Sequence, residues 1–348
     1  MPTDFIHKIK ELIAQELPFA LFALPNSDLV QLYFQKDIIL HQADDLDFEG
    51  FILAPFQWNK RFDYIPNTFS LTVDKKELLV SHNQGNTISS NASEKAEIAH
   101  IDLVNRAIAT INQGEISKIV CSRKENLDLE IDILHTFIMT LTNYPFAFNY
   151  VFQHPKLGKW LGASPELLLA YQNNTLNTVA LAGTQAFKTK ETAYVWRKKE
   201  QDEQQIVTDY IVSQLKQVSD VVTATKAKTS FAGKVLHLKS EISATITKTD
   251  LAKALDLLHP TPAVCGFPKE KALDFILKNE NYNRSYYTGF LGVNSNDKLQ
   301  LFVNLRCIEL TKTVDLYIGG GINSASNAEE EWQETVLKAT VMKGVLKF

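Results

Sequence analysis

The sequence predicts an α+β fold, with large antiparallel sheets and flanking helices. Three observations predict it. Short apolar runs with strand character come in pairs around tight turns. Strands follow strands instead of alternating regularly with helices. Long helical periodicities occur at only a few separated places. The bulk composition agrees: 348 residues, 45% hydrophobic and 22% charged, is an ordinary globular balance. A chain of this length buries a large core without staples.

The elements follow in order. Phe5 to Leu17 places Lys8, Lys10, Glu11 and Glu16 between apolar residues, an amphipathic helix and not a signal peptide. Short strands follow to about residue 90, with turn-rich stretches near Asn26 and from His82 to Ser90. Residues 1–92 are read as an N-terminal accessory part of the same fold, and 93–348 as the domain that carries the motifs. Ile101, Val104, Ile108 and Ile111 recur at helical spacing, and Gly114 is a natural stop. Ile116 to Cys121 reads as a strand whose alternation puts Lys118 on one face with Ile116 and Val120.

Phe146 to Phe152 and Trp160 to Ala163 pair around His154-Pro155-Lys156-Leu157-Gly158. Leu167 to Tyr171 and Thr175 to Leu181 form a second hairpin around Gln172-Asn173-Asn174. Thr189 to Leu215 is a long helical pattern. Ser285 to Val293, Leu299 to Ile308 and Val314 to Ile318 are successive strands, the first two joined through Asn294-Ser295-Asn296-Asp297. Ala328 to Leu346 is the final helix.

Charge and cysteines exclude several classes. Net charge is -4 and the pI about 6.1. No basic stripe follows a phosphate backbone, so neither nucleic acid nor an anionic membrane is an expected partner. The apolar run Pro18 to Pro25 is too short to span a bilayer. Cys121, Cys265 and Cys307 lie far apart with no C-x-x-C, which fits reduced thiols in a cytoplasmic protein.

The chemistry concentrates in a few segments. Glu331, Glu334 and Lys338 share a face of the last helix, being spaced i, i+3, i+7. Gly319, Gly320 and Gly321 precede that helix and allow close backbone approach. They do not make a dinucleotide site: G-x-G-x-x-G would need glycine where Ser324 stands, and no P-loop occurs. Glu203 lies in the long helix, four residues after Lys199. It reads either as a surface ion-pair member or as a carboxylate meeting Glu334. Two or three glutamates with open positions suit Mg²⁺. Glu166 follows Gly162-Ala163-Ser164-Pro165 between apolar strands, where burial would raise its pKa and make it an acid. His259 sits in the rigid Leu258–Gly266 loop with two prolines. There is no H-E-x-x-H and no G-x-S-x-G.

Taken together, these segments resemble the chorismate-utilising enzymes, in particular isochorismate synthases. The matching pieces, in the family's order, are Lys118-Ile119-Val120-Cys121-Ser122-Arg123, Gly162 to Glu166, Leu181-Ala182-Gly183-Thr184, Lys199 to Glu203, His259 to Gly266, Tyr287-Thr288-Gly289-Phe290-Leu291-Gly292, Arg306-Cys307 and Gly319 to Lys338. They run from about residue 95 to the C-terminus, over some 250 residues. The resemblance implies a sandwich of the anthranilate synthase component I type, with 93–348 as its chorismate-binding catalytic domain and the site between two sheet-containing halves.

The resemblance also implies roles. Lys118 would be the base that activates water and Glu166 the general acid on the opposite side. Glu203 and Glu334, with Glu331 near or in the shell, would hold Mg²⁺ against the ring carboxylate of chorismate. Arg306, Lys338 and the Gly319–Gly321 amides would bind carboxylates. Tyr287 and Ala263 would line the pocket, and Thr184 and His259 count with the substrate-binding positions. A lysine base needs help: at a pKa near 10.4, only about one in 2500 amines is neutral at pH 7. Burial on a strand face would raise that fraction.

Within the family, Lys118 points to water as nucleophile, where the ammonia-using anthranilate synthases usually have glutamine. No glutamine amidotransferase subunit is therefore expected. Ala182 stands where aminodeoxychorismate synthases often have a nucleophilic lysine. A salicylate synthase, which goes on to eliminate pyruvate, is the alternative, and Tyr287 leans towards it. A non-catalytic chorismate-binding protein is the third reading. Three departures from the family pattern stand out: Gln204 in place of a histidine, Gln185-Ala186-Phe187 in place of arginine–glycine, and Gly320 in place of alanine. A monomer is expected, with a dimer as the alternative.

Overall fold

Strand alternation in this chain sorts side chains into an inner aromatic layer and two outer aliphatic layers, and that sorting defines the architecture. In the strand Phe148–His154, Phe148, Tyr150 and Phe152 point inward while Val151 points outward. The partner strand Gly158–Ser164 does the same with Trp160 and Leu161. The computed structural model describes residues 2–79, 93–186, 194–232, 235–295 and 298–348. The stretch His82 to Ser90, the start of the 189–215 helical pattern and the tip of the Asn294–Asp297 turn lie outside the described residues, as do the side chains of Thr184 and Lys199.

Among the described residues, two antiparallel sheets face one another. The nine-stranded sheet runs, neighbour by neighbour, Gly266–Phe267, Lys118–Leu127, Val314–Ile322, Cys307–Leu310, Gly158–Ser164, Phe148–His154, Phe19–Ala23, Leu29–Phe34 and Phe69–Asp74. The ten-stranded sheet runs Val222–Ala224, Val235–Thr245, Thr175–Ala186, Leu167–Gln172, Lys298–Val303, Phe290–Ser295, Gly50–Ala54, Phe62–Pro66 and His41–Ala43, with Lys228–Ala232 pairing to Val235–Thr245. Strands from the first 79 residues lie in both sheets, so the N-terminal part is woven into the sandwich.

Between the sheets, Phe22, Phe51, Phe148, Phe302 and Trp160 pack with Tyr287 and Tyr317. Phe148 and Phe302 bridge the two sheets, stacked at 4.5 Å. Each fully buried side chain of this size contributes about 1.5–3 kcal/mol. The helices Pro2–Ala14, Ile133–Asn143 and Ala328–Lys343 cover the outside of the nine-stranded sheet. Lys198–Leu215 and Leu251–Leu258 cover the other sheet. Glu94–Asn112 and Lys269–Asn279 pack where the Lys118 strand begins. No helix among the described residues is long and apolar enough to cross a membrane.

Three expected elements differ. The run Leu299 to Ile308 is two strands in different sheets, broken where Arg306 takes φ +49° and the chain crosses over. Ser285 to Thr288 is a turn, with φ +51° and +59° at those two residues, so the strand starts only at Phe290. Gly319–Gly321 belong to the strand Val314–Ile322 and are not a loop.

Candidate active site

Lys118 opens its strand beside Phe267. The next strand pairs Gly321 with Val120 and Gly319 with Ser122. Paired residues share a face, so Lys118, Val120, Ser122, Gly319 and Gly321 all look into the space between the sheets. Ile116 does not join them. It precedes the strand and packs with Ile119 and Cys121 behind the sheet, because Ser117 already bonds to Phe267 O and alternation starts only at Lys118.

The two inward glycines make the floor. A Cβ on Gly321 would stand 3.0 Å from Lys118 Cε, so the lysine lies across that glycine. A Cβ on Gly319 would stand 2.7 Å from Tyr287 Oη. Gly320 faces the other way, where its Cβ would meet Glu331 Oε2 at 3.3 Å.

Glu166 and Arg306 sit at two adjacent crossovers between the sheets. The chain passes from Gly158–Ser164 to Leu167–Gln172 through Glu166, and from Lys298–Val303 to Cys307–Leu310 through Arg306. The crossovers are tied: Val303 N–H donates to Glu166 O at 2.9 Å, and Ala163 N–H to Arg306 O at 3.1 Å. Glu166 is half-buried at the cleft. Burial raises its carboxyl to about 7, against the opposing pull of Lys118. Burial also pulls the Lys118 amine below its ordinary value. Glu203 and then Glu166 act against that fall, and Lys338 adds to it. Lys118, Glu166, Glu203 and Lys338 therefore share one electrostatic environment.

The last helix presents its carboxylates beside this floor. Lys338 Nζ lies 2.6 Å from Glu334 Oε1 and donates to Gly319 O at 2.9 Å. Glu331 accepts from Ser326 Oγ at 2.7 Å. Its pKa is raised by burial and by Glu334, with Ser326 opposing. Glu203 is half-buried on Lys198–Leu215, next to Gln204. Gln204 Nε2 reaches Thr208 Oγ1 and Ser240 Oγ, both at 2.9 Å, which pins this helix to the sheet.

The donor chemistry of Glu203, Glu331 and Glu334 fits Mg²⁺, being all carboxylate with no nitrogen or sulfur. Among the described residues no three such groups are gathered into a closed cage. Mg²⁺ needs none, since it binds through one or two carboxylates and keeps positions for water and substrate.

The remaining expected residues fall in different places. Tyr287 is buried, stacked on Tyr317 at 5.3 Å, with its hydroxyl over Gly319. The Arg306 guanidinium lies 5.8 Å from the Tyr144 ring centre. Ala263 lines a cavity with Glu166, Leu181, Thr261 and Pro262. His259 has one ring nitrogen paired with backbone. It is buried, its Nε2 is 3.0 Å from Phe56 O, its ring meets Phe290 edge-on, and burial lowers its pKa to about 4. Thr184 pairs with His237 in the sheet, its side chain being outside the described residues.

Sequence reasoning missed a buried ion pair along the edge of the Lys118 strand. Arg284 and Glu280, each 2% exposed in the side chain, pair at 2.6 Å. Arg284 also donates to Val120 O at 2.7 Å and Val264 O at 2.9 Å. Glu280 accepts from the N–H and the hydroxyl of Ser122, both at 2.8 Å. The pair thus ties the Lys118 strand to the Ala263 loop. Glu280→Ala strands a buried guanidinium and should cost about 3–5 kcal/mol, read as a lowered urea midpoint.

A sequence profile of the chorismate binding enzymes matches residues 26–344. The chain belongs to the chorismate-binding enzyme family. This chorismate-binding enzyme is 31% identical over 255 residues to isochorismate synthase MenF of Escherichia coli K12, a match covering 70% of the chain and 59% of that protein. It is 27% identical over 346 residues to MenF of Pasteurella multocida, covering 94% and 76%. With isochorismate synthase DhbC of Bacillus subtilis it shares 30% over 267 residues, covering 69% and 65%. In fold it matches the E. coli MenF structure at a TM-score of 0.79, with 22% identity and 95% and 89% of the two chains covered. Anthranilate synthase component I of Streptococcus pneumoniae matches at 0.71, with 18% identity and 94% and 92% covered.

Proposed function

We propose that this enzyme is an isochorismate synthase, an isomerase that interconverts chorismate and isochorismate. The observation that carries the reading is a buried-site amine lowered in pKa that shares one cleft with a carboxyl raised to about 7. Water adds at C2 of the ring as Lys118 Nζ takes its proton. The ring double bonds each move one place, the C4–O bond breaks, and Glu166 gives its proton to the departing hydroxyl, which leaves as water. Lys338 and Arg306 supply charge for the substrate's carboxylates, and Tyr287 and Ala263 bound the pocket. Mg²⁺ held by Glu203 and Glu334, with Glu331 adjacent, would stabilise negative charge on the ring carboxylate as a Lewis acid. Water as nucleophile requires no amidotransferase subunit. The three cysteines, all free and buried, fit the proposal that it works in the cytoplasm.

The test is product analysis of the purified protein with chorismate and Mg²⁺. Isochorismate without pyruvate is expected, abolished by EDTA and restored by excess Mg²⁺. Salicylate with stoichiometric pyruvate, or tight chorismate binding with no turnover, overturns the reading.

A further inference from the structure

The strand that carries Lys118 has a second face. Lys118, Val120 and Ser122 look into the cleft, while Arg123 and Glu125 alternate with them and look back at the helix Ala328–Lys343. Arg123 is buried there, at 6% exposure. Its Nε donates to Thr335 Oγ1 at 2.8 Å, and one terminal nitrogen donates to Glu125 Oε2 at 2.9 Å. The guanidinium lies 4.6 Å from the Trp332 ring centre. Lys343, at the end of the same helix, pairs with the other oxygen of Glu125. Thr335 is fully buried, and its hydroxyl donates in turn to Trp332 O at 2.8 Å.

Trp332 and Thr335 directly follow Glu331 and Glu334. Arg123 therefore grips the helix at the turn that also carries Glu331 and Glu334, and Glu331 itself reaches the back of Gly320 on the sheet face that Arg123 shares. An α-helix turns 100° per residue, so a rotation by one position would carry Glu334 and Lys338 off the floor. Burial alone would be satisfied by an aliphatic residue, as at neighbouring Leu127, Leu316 and Ile318, and replacing buried charge by apolar groups is often neutral or stabilising. What a guanidinium adds is direction: its Nε–H bonds Thr335 Oγ1 while the group lies over the Trp332 ring, two directed contacts on one turn of the helix.

We propose that Arg123 is a positioning residue that sets the rotation of the C-terminal helix, and thereby the placement of Glu331, Glu334 and Lys338 against Lys118. This rests on the reading of those residues as the substrate and cation side of the site. Arg123 touches no substrate. It lies five residues along the strand from Lys118, roughly 17 Å at a strand rise of about 3.3 Å.

The experiment compares Arg123→Met, Arg123→Lys, Thr335→Val and the Met/Val double variant with the parent. Melting curves, kcat and KM for chorismate, and Mn²⁺ affinity by electron paramagnetic resonance without substrate are measured. The Met variant leaves Glu125 its Lys343 partner, so no charge is stranded. Expected is a melting point within a few degrees of the parent, with Mn²⁺ affinity and kcat/KM each falling roughly 10- to 100-fold. The double variant should lose no more than Arg123→Met, since both substitutions cut one bond. Arg123→Lys should recover little, lacking both the Nε–H placed at Thr335 and the flat group over Trp332. Should Arg123→Met fail to fold, Thr335→Val, equal in shape, carries the test. Lower melting points with unchanged Mn²⁺ affinity and kinetic constants overturn the proposal. If the parent turns over no chorismate, the isochorismate synthase reading falls while the Mn²⁺ measurement still reports the helix.

Discussion

Lys118→Gln should lower kcat for chorismate by about 10²–10⁴, the range a positioned acid or base supplies, with a much smaller change in KM. Glutamine keeps a polar tip on a side chain one atom shorter. It has no lone pair able to take water's proton. The effect is therefore on the chemical step, measured as kcat by single-turnover product formation.

The same variant has a stability signature with a defined sign. Burial lowers the folded pKa of Lys118 below its ordinary 10.5, so the unfolded chain binds that proton more tightly. The parent is penalised below the folded pKa, and the penalty disappears as pH rises past 10.5. Lys118→Gln should consequently melt higher than the parent at pH 7, and the gain should vanish in strong alkali. A loss of activity with a lower melting point at pH 7 would instead mean that the lysine holds the fold.

Much of what gathers at this candidate site was legible because its signals are local. A lysine among strand residues, a glutamate after Ser164-Pro165 and an i, i+3, i+7 set on one helix each depend on near neighbours in sequence. The Asn173-Asn174 turn was equally local: both residues take positive φ, and the hairpin forms as read. What stayed hidden depends on partners distant in sequence. Nothing in Leu299 to Ile308 says that the chain changes sheets at Arg306, because the strands it joins are contributed from far away. Gly319–Gly321 looked like a loop because glycine weakens a strand. Here two of them are required by side chains of other elements, Lys118 and Tyr287, which lie where a Cβ would stand. The helix Ile133–Asn143 was not anticipated, since its Ile and Thr residues favour strands. The cap that starts it, Asp132 accepting from His135 N–H at 2.8 Å, is a readable signal.

His259 and Arg284 show the same limit in opposite directions. The family pattern counts His259 with the substrate positions, and nothing in the sequence says that its Nε2 pairs with Phe56 O, 203 residues away. Arg284 carried no assigned role, yet it joins the base strand to the pocket loop. Resemblance transfers residue identities well. It transfers contacts only where the surrounding elements are also in place.

Glu166→Gln should lower kcat by a similar factor of about 10²–10⁴ and should change the pH profile. In the parent the carboxyl is raised to about 7, by burial against the pull of Lys118. As the acid it must hold its proton, so kcat/KM should fall as pH rises through about 7. The residual activity of Glu166→Gln should lose that alkaline limb. Stability has its own sign: a folded pKa above the ordinary 4.5 means that the native state binds the proton more tightly than the unfolded chain. That contribution is complete below 4.5 and is lost as pH rises through about 7. Glu166→Gln should therefore melt higher than the parent at pH 8 and equal to it near pH 4. A neutral amine beside a protonated carboxyl carries the same number of protons as an ammonium beside a carboxylate. Raising pH therefore cannot favour the productive arrangement over the ion pair; only the cleft can, by withholding solvent from both charges. The densely packed floor under Lys118 and the crossover that holds Glu166 supply that condition, and it is why the two residues must be tested at several pH values and not at one.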